Sequence, residues 1–433
     1  MANSEPLRFF AVFIVALLIV TLRNSFNEVF YPTLPAEDGK FLFQVFYNNH
    51  ELTSVFKFYS GYISLLPNLL AYLLTFLPVT LIPSSFALTS LLITALAYSL
   101  FYPALAALYK DRLFAFYVAA VISALPLGNW WLIGALSYQS WNFMIILFLL
   151  LFLPIPKNRI NRTAYVAAVN LLIWSHPLSV LTLPIYVFKL VKNREGKFEN
   201  ALFSASAFLY FLLGMEPGAL AWPGFPALFQ LFATRVLAEA LAGPRNRMIF
   251  HNEGDAHIFP LLLIVSVSTA AALFYFSWRE RRDEEKEFLA ALVYFLGSSF
   301  VIAMLSRVAS RNLGEEFLGA DWGTQYVYLP KIFLITLFLL SFHNVWKRSA
   351  AYRFIGIGFA AILFCASLNS SIVYKTQVDN GKQVLKFVRI IADNKLDCAA
   401  GDEKFITLRK GDVGTENQPA NFNVNINLCA QSR

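Results

Sequence analysis

Runs of about twenty consecutive apolar residues recur along this chain, and a bilayer core of about 30 Å demands helices of that length. Lipid offers the backbone no water, so each spanning segment must close its own hydrogen bonds as a helix. With 58% hydrophobic and only 14% charged residues, the 433-residue chain is far more apolar than a soluble domain. The expected fold is an all-α polytopic membrane protein with about ten or eleven transmembrane helices. Two of the runs, 163–176 and 178–192, are short and meet at Ser175-His176-Pro177, the pattern of half-membrane helices.

Basic residues set the expected orientation. Arg8, Lys110, Arg112, Lys157, Arg159, Arg162, Lys189 and Lys192 share one side only if the apolar stretch 62–82 lies along the outer interface instead of crossing. The N-terminus is then cytoplasmic and the C-terminal region extracytoplasmic. The net charge of +8 is largely topological and calls for no nucleic acid; the partner it implies is the lipid bilayer. Residues 9–22 lack a following small-residue cleavage site and read as a retained anchor.

The organisation that follows is a membrane domain over 1–374, with outer loops at 27–83, 214–256 and 306–326, and a small extracytoplasmic region over 375–433. That last region is polar after an amphipathic helix expected from Gln383 to Ile391, and it holds Cys398 and Cys429. A disulfide between them is expected in an oxidising compartment.

The apolar runs carry almost no ionisable residue at mid-depth, which counts against an ion-coupled pump. The polar chemistry gathers in the outer loops. Tyr31-Pro32-Thr33-Leu34-Pro35-Ala36-Glu37-Asp38-Gly39 sets two adjacent carboxylates just past the first apolar run. Two readings of Glu37 and Asp38 are open: catalytic carboxylates facing water, or a helix cap with a solvated neighbour. Loop 214–256 ends in His251-Asn252-Glu253-Gly254-Asp255-Ala256-His257, where Glu253 and Asp255 are candidate ligands for Mg2+ or Mn2+, or else plain solvated residues. No other cofactor is implied.

Arg307 and Arg311 stand one helical turn apart, a spacing that suits a phosphate and equally suits lipid headgroups. Trp130, Trp131, Trp141, Trp222 and Trp322 fit sugar stacking or the ordinary aromatic belt of a bilayer interface. His176 fits a ligand contact or a packed, hydrogen-bonded ring. No Gly-rich phosphate loop, Ser-His-Asp pattern, His-Glu-x-x-His or Cys-x-x-Cys is present.

Ala36-Glu37-Asp38-Gly39, Tyr59-x-Gly61-Tyr62 and Pro67 resemble the first outer loop of the GT-C superfamily of polytopic glycosyltransferases. The likeness extends through Pro126, Gln139 to Trp141, Ser175-His176-Pro177 and Tyr326-x-Tyr328-x-Pro330. It implies juxtamembrane helices in the first loop and a polyprenyl-phosphate-linked sugar as donor at the outer face. The acceptor is then a cell-envelope glycan, lipid or protein, outside a bacterial cytoplasmic membrane. By the same resemblance Asp38, with Glu37 beside it, serves as catalytic base or organises the acceptor. Arg307, Arg311, Lys331 and Tyr326 serve the donor phosphate, and Tyr59, Tyr62, Trp130, Gln139 and His176 serve sugar or acceptor. One departure is the Gln325-Tyr326 pair, where related bacterial sequences often have Arg-Tyr, so the phosphate's cation must come from elsewhere.

Two other functions fit the composition. A lipid-linked glycan flippase or transporter shares the many aromatic spans but needs a polar path across them. A surface-polysaccharide polymerase or ligase uses a diphosphate-linked glycan and paired outer arginines, for which Arg307 and Arg311 qualify.

Overall fold

The computed structural model describes residues 5–23, 38–59, 61–125, 127, 133–192, 196–216, 222, 224–242, 275, 278, 281–308, 324–348, 350, 353–354, 356–358, 361, 389–390, 405–409 and 423–427. Helices dominate these residues. Three are long and apolar enough to cross a membrane: Glu5–Arg23 (α1), Val79–Tyr109 and Asp283–Ser306. The second runs through a short 3-10 turn into α4 (Ile82–Ser99) and α5 (Phe101–Tyr109), and the third consists of α13 (Asp283–Ala303) and the start of a π-helical turn, Met304–Val308.

Between them in sequence lie α2 (Gln44–Asn49), α3 (Leu65–Leu74), α6 (Arg112–Ala124), α7 (Gln139–Leu150), α8 (Arg159–Ile173), α9 (Leu183–Lys192), α10 (Lys197–Leu213), α11 (Phe225–Leu231) and α12 (Glu239–Ala242). Beyond them come α14 (Thr324–Ser341) and α15 (His343–Arg348). Their ends follow capping chemistry. The Asp111 carboxylate accepts the Phe114 N–H at 3.0 Å to start α6, and the Asn158 side chain accepts the Ile160 N–H at 2.9 Å to start α8.

Two contacts fix the direction of the bundle. At one end Glu5 pairs with Arg112, and at the other Arg23 donates to the carbonyl of Leu125. So α1 and α6 run parallel, and α4 with α5 forms the antiparallel return between them. Everything from Asp38 to Leu81 therefore sits at the Arg23 end. Its elements are short: a π-helical turn (Asp38–Phe43), α2, a 3-10 turn (Leu52–Phe56), the paired strands β1 (Phe58–Tyr59) and β2 (Tyr62–Ile63), and α3.

This lobe is tied to the helix ends below it. Ser64 donates to the Ser175 carbonyl at 3.2 Å, the Ser175 hydroxyl accepts the Leu66 N–H at 3.0 Å, and Ile63 N–H donates to the Gly214 carbonyl at 2.9 Å. Gly61 turns between β1 and β2 at φ +85°, a left-handed conformation that favours glycine. Gly214 is equally constrained, since a Cβ there would stand 2.3 Å from the Tyr210 ring.

Two features add to the sequence expectation. The stretch 214–256, expected as an outer loop, contains α11, a π-helical turn (Phe232–Ala238) and α12, which pack on α14. Pro226 does not break this helix because it sits in its first turn, where no backbone donor is needed. Among the residues of 375–433, strands β3 (Phe405–Arg409) and β4 (Asn423–Asn427) pair antiparallel, with Phe405 opposite Asn427. Strand β4 lies against the Asp38 turn and α2. Of the expected helix at 383–391, residues 389 and 390 are described, and both are helical.

Candidate functional site

Asp38 opens the π-helical turn and is fully buried. Its carboxylate reaches the turn that precedes α7, accepting the Leu136 N–H at 2.7 Å and the Ser137 N–H at 2.9 Å. These are charge-assisted bonds, stronger than a neutral pair would make. One side chain thus joins the first lobe to the start of α7.

Gln139 grips the same turn from the other side. Its amide nitrogen donates to the carbonyls of Ile133 and Ala135 at 3.2 and 3.1 Å. Its oxygen accepts from Thr94 at 3.2 Å and from the Asn142 amide at 2.8 Å. Asn142 in turn accepts from the Tyr328 phenol at 2.7 Å, and Tyr328 shares a 2.7 Å bond with Tyr98. All five residues are buried, so a polar network runs from the Asp38 turn through α4, α7 and α14 inside an otherwise apolar bundle.

Beside the network stand four aromatic rings. Trp141 lies 4.4 Å from the His176 ring and 6.4 Å from Tyr326, and Tyr62 lies 6.2 Å from His176, centroid to centroid. His176 Nδ1 accepts the Leu178 N–H at 3.1 Å, which places the proton of a neutral ring on Nε2. His176 and Tyr326, expected at the site from sequence, thus flank Trp141, and Tyr62, expected there too, joins them through His176.

Five residues beyond Tyr326, Lys331 is wholly buried in α14 and pairs with Glu239, which also meets Arg235 at 3.1 Å. Two cations and one carboxylate are therefore enclosed together, a costly arrangement in lipid that usually marks function. Arg235 comes from the π-helical turn Phe232–Ala238, where the wider backbone offsets the side-chain register of an α-helix.

The sequence-expected residues divide accordingly. Asp38, Gln139, Tyr62, His176, Tyr326 and Lys331 gather at the Arg23 end of the bundle. Tyr59 is placed there by its backbone, opposite Tyr62, and Arg307 lies in the π-helical turn after α13. Glu37, Trp130, Arg311, Glu253, Asp255, Cys398 and Cys429 lie outside the described residues. Among the described residues no group of three or more His, Cys, Asp or Glu is placed to hold a metal ion. The sequence reading passed over Arg23, Thr94, Tyr98, Asn142, Arg235 and Glu239. The spacing of Arg235 and Glu239, one turn apart in an apolar run, was the available signal for that pair.

No protein-family model matches the chain, and no curated protein matches it significantly.

Proposed function

We propose that the chain is a membrane-embedded glycosyltransferase of the GT-C kind. It moves a sugar from a polyprenyl-phosphate donor to a cell-envelope acceptor at the Arg23 end of the bundle. The observation that carries this reading is that a buried carboxylate, a set of aromatic rings and buried cations lie on or against neighbouring stretches of α7 and α14 and the turn before α7. Asp38 holds the turn before Trp141, Trp141 meets Tyr326, and Tyr326 shares α14 with Lys331.

That order matches the chemistry of the donor. The acceptor hydroxyl attacks the anomeric carbon, its proton passes to a carboxylate, and the carbon–oxygen bond to the lipid phosphate breaks. The sugar stacks on Tyr62, Trp141 and Tyr326, and the departing phosphate draws on Lys331 and Arg235. The carboxylate is Asp38 or its neighbour Glu37. Both Asp38 and Lys331 are enclosed in this form, so the reading requires the site to open when the lipid enters.

The test is transfer from radiolabelled polyprenyl-phosphate sugars by the purified chain in lipid, alongside Asp38→Asn and Glu37→Gln. Product that disappears in one of the acidic variants, while both insert normally, supports the reading. Absence of product with every donor and acceptor moves the assignment to transport or to diphosphate-dependent polymer transfer.

A further inference from the structure

At the Glu5 end, far from the Asp38 network, an open cavity of about 470 Å³ is lined by Ala106, Lys110, Asp111, Arg112 and Lys347. Three cations and one carboxylate give this lining a formal charge of +2. The four charges are not equivalent. Asp111 is already engaged, its Oδ1 with the Phe114 N–H at 3.0 Å and its Oδ2 with His343 Nε2 at 3.7 Å. Arg112 is held by Glu5, which also accepts from Arg8 at 3.2 Å. Other cations near this end are engaged too, since Arg281 and Arg282 both pair with Glu285.

Lys110 and Lys347 remain, exposed at the cavity and in no ion pair among the described residues. Lys110 closes α5 in the left-handed conformation, at φ 53°, where glycine or asparagine is the usual choice. A lysine thus stands at a position whose backbone favours another residue, and it lines the cavity.

The surroundings identify the ligand's second half. The cavity sits at the ends of α1 and of the long helix Val79–Tyr109, both long and apolar enough to cross a membrane. Leu7, Phe10, Leu113 and Phe116 are exposed within the first two turns of α1 and α6, the helices that begin at the paired Glu5 and Arg112. A ligand seated here meets ammonium groups at its head and bare apolar faces along its length.

We propose that this cavity is a binding site for an anionic glycerophospholipid. The phosphodiester lies between Lys110 and Lys347, and the acyl chains run over Leu7, Phe10, Leu113 and Phe116. The phosphate draws on both ammonium groups without a bidentate partner, as lysines permit. The site is independent of the glycosyltransferase reading.

Native mass spectrometry of the purified full chain, with phosphatidylglycerol and phosphatidylcholine as probes, tests the site. The native chain is expected to retain phosphatidylglycerol at least fivefold over phosphatidylcholine. The Lys110→Asn/Lys347→Gln variant is expected to fall within twofold, asparagine being chosen because it tolerates the left-handed backbone. Lys192→Gln, a charge removed at the same end but from a side chain paired with Glu287, should leave the preference intact. An undiminished preference in the double variant overturns the proposal. So does an equal loss in Lys192→Gln, which would mean diffuse charge only. Displacement of the lipid by millimolar glycerol 3-phosphate overturns it as well, by giving the site to a soluble phosphate. Should the double variant prove unstable, Lys347→Gln alone decides: a twofold or greater loss supports the site, and an unchanged preference overturns it.

Discussion

The Tyr328 phenol donates to the Asn142 amide oxygen at 2.7 Å and so links α14 to α7 in the interior of the bundle. Neither group has water to fall back on. Tyr328→Phe and Asn142→Leu are each expected to destabilise the protein by about 1–3 kcal/mol, because each leaves a buried polar partner unsatisfied. The double variant should lose less than the sum, with a coupling of about 0.5 kcal/mol or more. Thermal unfolding in a fixed detergent measures this, and strict additivity would mean that the two groups act independently.

Asp38 has a structural job on top of any chemical one. Asp38→Asn places an amide where two backbone N–H groups need acceptors, and a stability loss of about 1–3 kcal/mol is expected. If Asp38 also takes the acceptor's proton, transfer per folded molecule falls by about 100-fold or more. Comparing activity with the folded fraction separates the two. Equal losses in both would leave Asp38 as the clamp of the turn before α7 and nothing else.

The enclosed ions Arg235, Glu239 and Lys331 predict an order of severity. Glu239→Leu strands two cations and should cost about 3–5 kcal/mol. Lys331→Met leaves Glu239 with Arg235 at 3.1 Å and should cost less. Melting temperatures of the two variants give the order directly, and the reverse order would show that Glu239 is not the shared partner.

At the opposite end, just past α14, burial lowers the pKa of His343 from 6.5 to about 3, helped by the positive charges of Lys347, Arg281 and Arg282. The folded state therefore binds fewer protons than the unfolded one below pH 6.5. The stability tied to the neutral ring is fully present above that pH and is lost progressively as the pH falls towards 3. Between pH 7 and 5 the loss should be about 2 kcal/mol, and His343→Gln should flatten that slope. A native chain whose stability does not change over this range would show that the ring is not held neutral.

The helical character was legible because lipid leaves the backbone so few alternatives, whereas Asp111 and Asn158, which cap the starts of α6 and α8, were signs that went unused. The acidic step at Asp38 also stood out in the sequence. Its partners did not, since the Leu136 and Ser137 backbone donors leave no side-chain signature. Asn142 and Thr94 looked like isolated polar residues in apolar runs, and only folding shows that they meet Gln139. Helices α11 and α12 were hidden by the prolines around them, although Pro226 occupies the one turn where proline is harmless. Strand β4 carried a readable sign that was not used: Val424 and Ile426 alternate with Asn423, Asn425 and Asn427, the period of a strand.

Strand β4 rests on the Asp38 turn and on α2. Translation runs from the N-terminus, so strand β4 is made after every described helix, the three long enough to cross a membrane included. Until then the turn that opens at Asp38 lacks one of the elements packed on it. Completing this corner is thus a late step in biogenesis, and a chain stalled before residue 423 would hold its helices yet lack the strand that packs on this turn.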